Sequence, residues 1–129
     1  MPWLPKDPEI AAMLVADDKR RYEYFVHRVC DTEQVWGLHD GGWASLGDSE
    51  EKKLFPLWPH EKYAELFKKN GWERYTPKAI DLDLFVEEWL PKMKESGVSP
   101  AIFPVSSGAS VVVSCDDLQA NLRHESSNY

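Results

Sequence analysis

His27 and Cys30 are the one pair of metal-capable side chains at ligand spacing. Residues three apart on a helix project the same way, so the two could converge on an ion. A structural zinc site needs a second close pair. Cys115, His39, His60, His124, Asp31 and Asp40 supply none. No metal and no cofactor is therefore expected, and Cys30 reads as a buried thiol beside a partly exposed His27. Cys115 follows Ser114, a predicted helix cap, and would occupy the first helical position. The unpaired amides there favour a thiolate, but Asp116 and Asp117 alongside oppose a second negative charge. Cys115 is read as inert. Serine chemistry lacks its Gly-x-Ser-x-Gly elbow, and Ser106-Ser107-Gly108 is explained as a turn. The acidic pairs Glu50-Glu51, Glu87-Glu88 and Asp116-Asp117 are neighbours in sequence. On a helix such neighbours point about 100° apart, so they form solvated faces and caps rather than a carboxylate site. Asp40-Gly41-Gly42 is a tight turn and no phosphate loop.

What remains is aromatic: six Trp, five Tyr and five Phe. Spacing assigns Tyr22, Phe25, Tyr63, Phe67, Phe85 and Trp89 to the core. Trp36, Trp43, Trp58 and His60 fall on a predicted hairpin and on the strand–helix junction after it. Trp and Tyr make good binding anchors, because they bury much area and keep a polar tip. These four are the candidate ligand- or partner-binding residues, the alternative being that they form core beneath the helices. His60 or His39 could instead serve as acid/base of a small enzyme of unknown class, since imidazole titrates near neutrality.

Bulk composition narrows the partners. The 129 residues carry 22 acidic and 15 basic side chains, a formal charge of -7. Phosphate backbones attract basic surfaces, and no Lys/Arg run here reaches five, so nucleic acid is not an expected partner. No stretch approaches the ~18 apolar residues of a membrane span. The Pro-rich start lacks the basic, apolar and small-residue segments of a signal peptide. A soluble cytoplasmic protein with reduced thiols is expected.

The elements follow from pattern. One domain is expected over 1–129, with an ordered core at about 8–122 and frayed ends before Pro8 and from Arg123. Asp7 caps a first helix with Pro8 behind it, and Ile10, Met13 and Leu14 form its stripe. Tyr22, Phe25, Val26, Val29 and Cys30 make the buried face of a helical run over 18–31, with Asp17-Asp18 as a possible second cap. Residues 34–39 and 42–46 flank Asp40-Gly41, a hairpin turn. Pairing His39 with Gly42 sets Leu38 opposite Trp43 and Trp36 opposite Ser45, so both tryptophans share a face. Residues 47–52 form a loop, and 53–58 a strand that Pro56 confines to an edge or a bulge. A helix runs from Pro59 to about Lys69 and ends at Asn70-Gly71. A strand over 78–82 leads to a helix capped by Asp81 or Asp83, kinked at Pro91 and closed by Gly97. Strands over 98–105 and 109–114 follow, and the unalternating Val111-Val112-Val113 suggests cover on both faces. Ser114 and Asp117 match a capping box for a last helix anchored by Leu118 and Leu122. Hairpins interleaved with helices indicate α+β: a mixed, largely antiparallel sheet of about five to six strands with helices packed on it.

Tyr22-Glu-Tyr-Phe25, Val35-Trp-Gly-Leu38, Gly42-Trp-Ala44, Leu57-Trp-Pro-His60 with Tyr63-Ala64, Trp72, Pro77-Lys-Ala-Ile80 and Trp89-Leu-Pro91 together resemble the bacterial domain-of-unknown-function 2750 family. The resemblance covers roughly residues 18 to 122, and Pro56-Leu-Trp-Pro-His-Glu-Lys-Tyr-Ala64 is its most specific piece. It implies a small bacterial cytoplasmic protein and no catalytic residues. The leading functional expectation is a non-enzymatic module that binds a protein or small ligand. A homodimer joined through an open sheet edge is a further possibility.

Overall fold

The computed structural model describes residues 4–49, 52–68, 73–105 and 110–127. The expected turn at Ser106-Ser107-Gly108 and the helix end at Asn70-Gly71 lie outside them. The architecture is α+β. Helix α1 (Asp7–Leu14) follows Lys6, the N-cap, so Asp7 is the first helical residue and not the cap. Helix α2 (Asp18–Thr32) starts separately, because the Asp17 carboxylate accepts the Arg20 amide at 2.9 Å. It buries Phe25, Val26, Val29 and Cys30 of the predicted face, while Tyr22, expected in the core, is half-buried; each fully buried apolar side chain contributes about 1.5–3 kcal/mol.

Strand β1 (Gln34–His39) pairs antiparallel with β4 (Thr76–Asp81), far away in the chain. The predicted hairpin survives only as its turn. Gly41 takes φ 67°, the Asp40 amide bonds the Gly42 carbonyl, and His39 faces Trp43 in a single bridge. The pairing is thus one residue off the expected register. Side chains alternate along a strand, so this slip reverses faces: Trp43 lies over Gly37, while Trp36 points the other way. The chain then enters a second sheet of order β2-β3-β5-β6, made of β2 (Leu46–Ser49), β3 (Lys52–Leu57), β5 (Val98–Ile102) and β6 (Val111–Val112). Residues 46–49, expected mostly as loop, are strand because they pair with β3.

β3 is an inner strand, parallel to β5 and antiparallel to β2, not the edge that Pro56 suggested. Alternation explains the tolerance. Leu54 faces β2, Trp58 exchanges both backbone bonds with Trp36 of β1, and Pro56 between them meets the place where β3 changes partners. No ladder amide is required there. That Trp36–Trp58 exchange also joins the two sheets. The β6 edge leaves Val112 52% exposed, so the valine run is not covered on both faces.

Helix α3 (Glu61–Phe67) is capped by His60. α4 (Leu82–Leu84), a π-helical turn (Phe85–Trp89) and α5 (Leu90–Glu95) run on as one helical segment, capped by the Asp81 carboxylate and ended at Gly97 with φ 74°. Helix α6 (Cys115–Ser126) starts with the Asp117 amide bonded to Ser114 Oγ at 3.0 Å. It carries the polar tail expected to fray, since residues 123–126 are helical and Arg123 reaches Glu87 at 3.2 Å. Phe25, Val29, Phe85, Leu118, Leu122 and Ile102 are fully buried where helices meet the larger sheet.

Candidate functional site

The four residues singled out by type separate into two places. Trp58 is fully buried, its ring 5.3 Å from Phe67 and its indole N–H donating to the Pro104 carbonyl at 2.9 Å. Its polar tip is satisfied inside the protein. Trp36 and His60 lie near each other, ring centroids 6.3 Å apart. His60 is 9% exposed, and its Nδ1 accepts the Lys62 amide at 3.1 Å. That bond satisfies one of the donors a helix start leaves open, so the ring serves α3.

Trp43 stands apart from these three, at the seam of the two sheets. Its ring meets His39 at 5.1 Å, Phe55 at 5.7 Å and Trp89 at 5.2 Å, and Phe55 and Trp89 close the triad at 5.7 Å. The contacts with His39 and Trp89 are edge-to-face, the arrangement favoured by ring quadrupoles. Gly37 makes room for the ring: a Cβ there would stand 2.9 Å from Trp43 Cζ3. Lys78, opposite Gly37 in the ladder, places its ammonium 5.7 Å from the Trp43 ring centre. Trp36 belongs to the opposite face of β1, so no site unites all four residues.

Phe55 and Trp89 continue from this triad into a groove of about 420 Å³, which Met93 and Val98 complete. Exposed Glu88 and Lys92 stand at its rim. Its size falls in the range of small-ligand pockets, and its floor is apolar. The backbone that delivers Trp89 is the π turn. Leu90 donates to the Phe85 carbonyl, five residues back. Pro91 has no amide, and its ring would press on the Glu87 carbonyl of a regular helix, so the wider turn lets the chain pass. The disruption expected at Pro91 takes this form. It leaves the Val86 carbonyl without either helical amide that could reach it. Gln119 of α6 fills the vacancy, its Nε2 donating at 2.9 Å. Spacing had placed Trp89 in the core; it is half-buried, because the inserted residue turns the helix relative to a straight one. Pro91 was the signal for that rotation. Nothing in the sequence paired Phe55 with Trp89.

The reactive candidates are occupied otherwise. Cys115 is the first residue of α6, as expected, and its thiol donates to the Val98 carbonyl at 3.3 Å. Burial pushes its pKa up, and the Asp116 charge adds to the rise. Cys30 bonds the Leu122 carbonyl, and burial raises its pKa also. His27 diverges from Cys30 toward solvent and meets Glu125 at 3.2 Å. Among the described residues no group of three or more His, Cys, Asp or Glu could hold a metal, and no helix is long and apolar enough to cross a membrane.

No curated protein and no solved structure matches the chain. The family described as a protein of unknown function (DUF2750) does match, over residues 22–122. That stretch holds Trp36, Trp43, Phe55, Trp58, His60, Trp89 and Gln119, the seam and the groove together, and the chain belongs to this family.

Proposed function

We propose that the chain is a non-enzymatic binding module, and that the groove on the π turn receives an apolar side chain from a basic protein partner. The observation that carries this reading is the groove floor of Phe55 and Trp89, built on a helical distortion of a kind often found at functional sites. Hot spots form where an aromatic anchor fills a pocket with a polar rim. A net charge of -7 and Glu88 at the rim favour a basic partner surface. Binding is favoured over catalysis because His60 caps α3 and both thiols are held protonated by burial. Of the residues chosen by type, Trp43 supports this groove by holding Phe55 and Trp89 in place, while Trp36, Trp58 and His60 hold the β1–β3–α3 junction. The module is further proposed to be cytoplasmic, to span 1–129 as one unit and to bind no nucleic acid.

The test is an NMR titration with the tripeptide Lys-Phe-Lys, with Lys-Gly-Lys as control. The Trp89 indole signal should move with the first peptide and stay still with the second. The reading fails if the two peptides act alike, or if the shifts map away from Phe55, Trp89 and Met93.

A further inference from the structure

A second group of rings lies between α1, α2 and α3 and encloses a charge. Tyr24 of α2 donates its hydroxyl to the Glu9 carboxylate of α1 at 2.6 Å. The Tyr63 hydroxyl of α3 stands 2.8 Å from that of Tyr24. Tyr24 has one proton, and Glu9 takes it, so Tyr63 is the donor to Tyr24. Arg28, one helical turn beyond Tyr24, brings Nη2 to 3.4 Å from the same Glu9 oxygen, with its guanidinium 5.7 Å from the Tyr24 ring centre. Phe103 packs under both tyrosines, at 4.6 Å from Tyr63 and 6.0 Å from Tyr24. It does so in a backbone conformation costly for a bulky residue, φ 53°. Tyr63 is 1% exposed. Burial lifts both phenols, Tyr63 to about 12 and Tyr24 further, so both keep their protons to donate at neutral pH.

The Tyr24 hydroxyl, backed by the Tyr63 hydroxyl, and the Arg28 cation thus converge on one carboxylate oxygen above an aromatic floor. These are the parts of a carboxylate receptor: charge-assisted hydrogen bonds from a preorganised, partly dry site. Tyr24, Arg28 and Tyr63 all lie within the family-matched stretch, whereas Glu9 lies before it. Glu9 arrives on an eight-residue helix that has no side-chain cap and one buried side chain, Met13. Helices this short are marginal by themselves, so α1 depends on its contacts.

We infer that Tyr24, Tyr63 and Arg28 form a carboxylate-binding site, which this chain occupies with its own Glu9 and which accepts an external carboxylate when α1 lifts away. Glu9 competes at the high effective concentration of a tethered group, so the closed form excludes weak free carboxylates. The site is separate from the groove at Trp89, and either can fail without the other.

The test uses the full chain with Glu9→Ala and acetate as the probe, against chloride at equal ionic strength and pH. Acetate at ~10 times its Kd should raise the folded-to-unfolded ratio of Glu9→Ala about tenfold over chloride. The wild type should gain no such margin, and Tyr24→Phe added to Glu9→Ala, which removes the hydroxyl that meets the carboxylate, should abolish it. The inference is overturned if acetate and chloride stabilise Glu9→Ala equally, or if acetate favours the wild type as strongly. Should Glu9→Ala not fold, amide exchange in Glu9→Gln, whose neutral side chain competes only weakly with a carboxylate, decides. Acetate should speed exchange over Ile10–Leu14 relative to α6 by holding α1 open. Equal rates in acetate and chloride would sink the idea.

Discussion

Trp43, Phe55 and Trp89 at the sheet seam, and Tyr24, Tyr63 and Phe103 beneath α1, are both triads of touching rings. Each is gathered from three separate elements. They differ in what their edges meet. The seam triad ends in a groove of about 420 Å³ with apolar walls. The tyrosine triad ends in hydroxyls that pass a chain of donated protons to Glu9. The first leaves apolar area for a partner to cover; the second is closed by a charge from its own chain. The difference follows from backbone as much as from side chains. A π turn holds Trp89 half out of the core, whereas a regular helix lays Tyr24 and Arg28 on one stripe. Perturbing each triad should therefore produce different kinds of loss.

The largest effect is expected from Trp89→Ala. Removing this ring takes the edge-to-face partners of Trp43 and Phe55 and opens the groove floor. Truncation of a large core aromatic costs 3–5 kcal/mol, and the half-burial of Trp89 places it at the low end, about 3 kcal/mol. Urea unfolding followed by circular dichroism measures this. The comparison is broken if the loss is below ~1 kcal/mol, because the seam would then not be a packed unit.

Gln119→Leu should come next. It keeps the volume but removes the donor to the Val86 carbonyl, at a cost of about 2 kcal/mol for a buried acceptor left unmade. The Trp89 indole resonance should shift as the π turn adjusts. Pro91→Ala sharpens the argument, since it restores an amide beside Val86. In that background Gln119→Leu should cost much less, and an unchanged cost would show that Gln119 does not serve the turn.

These two sites show where reading the chain stopped. Three caps were legible, because Asp17, Asp81 and Ser114 act on amides three residues ahead, whereas Asp7 lies inside α1 and the His60 cap of α3 was not foreseen. The apolar stripe of α2 and the left-handed Gly97 were legible for the same reason, being local. Pairings across the chain were not. Asp40-Gly41 announced a turn, but the true partner of β1 is β4, and His39 facing Trp43 shifted the register by one. That single step moved Trp43 away from Trp36 and dissolved the expected four-residue site. Residues 46–49 have the composition of a loop and become strand only because β3 lies alongside. Glu9, Tyr24 and Tyr63 come from three helices, so no spacing rule links them.

The smallest effect, and the one most specific to the closed triad, is expected from Tyr63→Phe. It removes one hydroxyl that donates to Tyr24 and keeps the packing on Phe103, so near neutral pH the cost should be about 1 kcal/mol. Alkaline pH separates this from simple packing. Tyr63 titrates at 10.0 when unfolded and at about 12 when folded, because burial disfavours the phenolate; the Tyr24 hydroxyl beside it lessens the rise, Glu9 adds to it and Arg28 lessens it. Between those values the folded protein keeps a proton that the unfolded chain has lost. Stability is therefore full below pH 10 and declines as pH rises through 12, at up to about 1.4 kcal/mol per unit for each such phenol. Tyr24 is raised as well and remains in the variant, as do both thiols, so the decline should become shallower without vanishing. Urea midpoints of wild type and Tyr63→Phe across pH 9 to 12 should converge as the pH rises and cross at about pH 11, where the proton linkage outweighs the hydroxyl's contribution. A constant gap would mean that the Tyr63 proton is no more firmly held in the fold than outside it, and that the triad is closed by packing alone. Trp89→Ala removes no phenol or thiol, so its gap from wild type should change far less over the same range, and this contrast in pH response is what separates a polar closure from an apolar one.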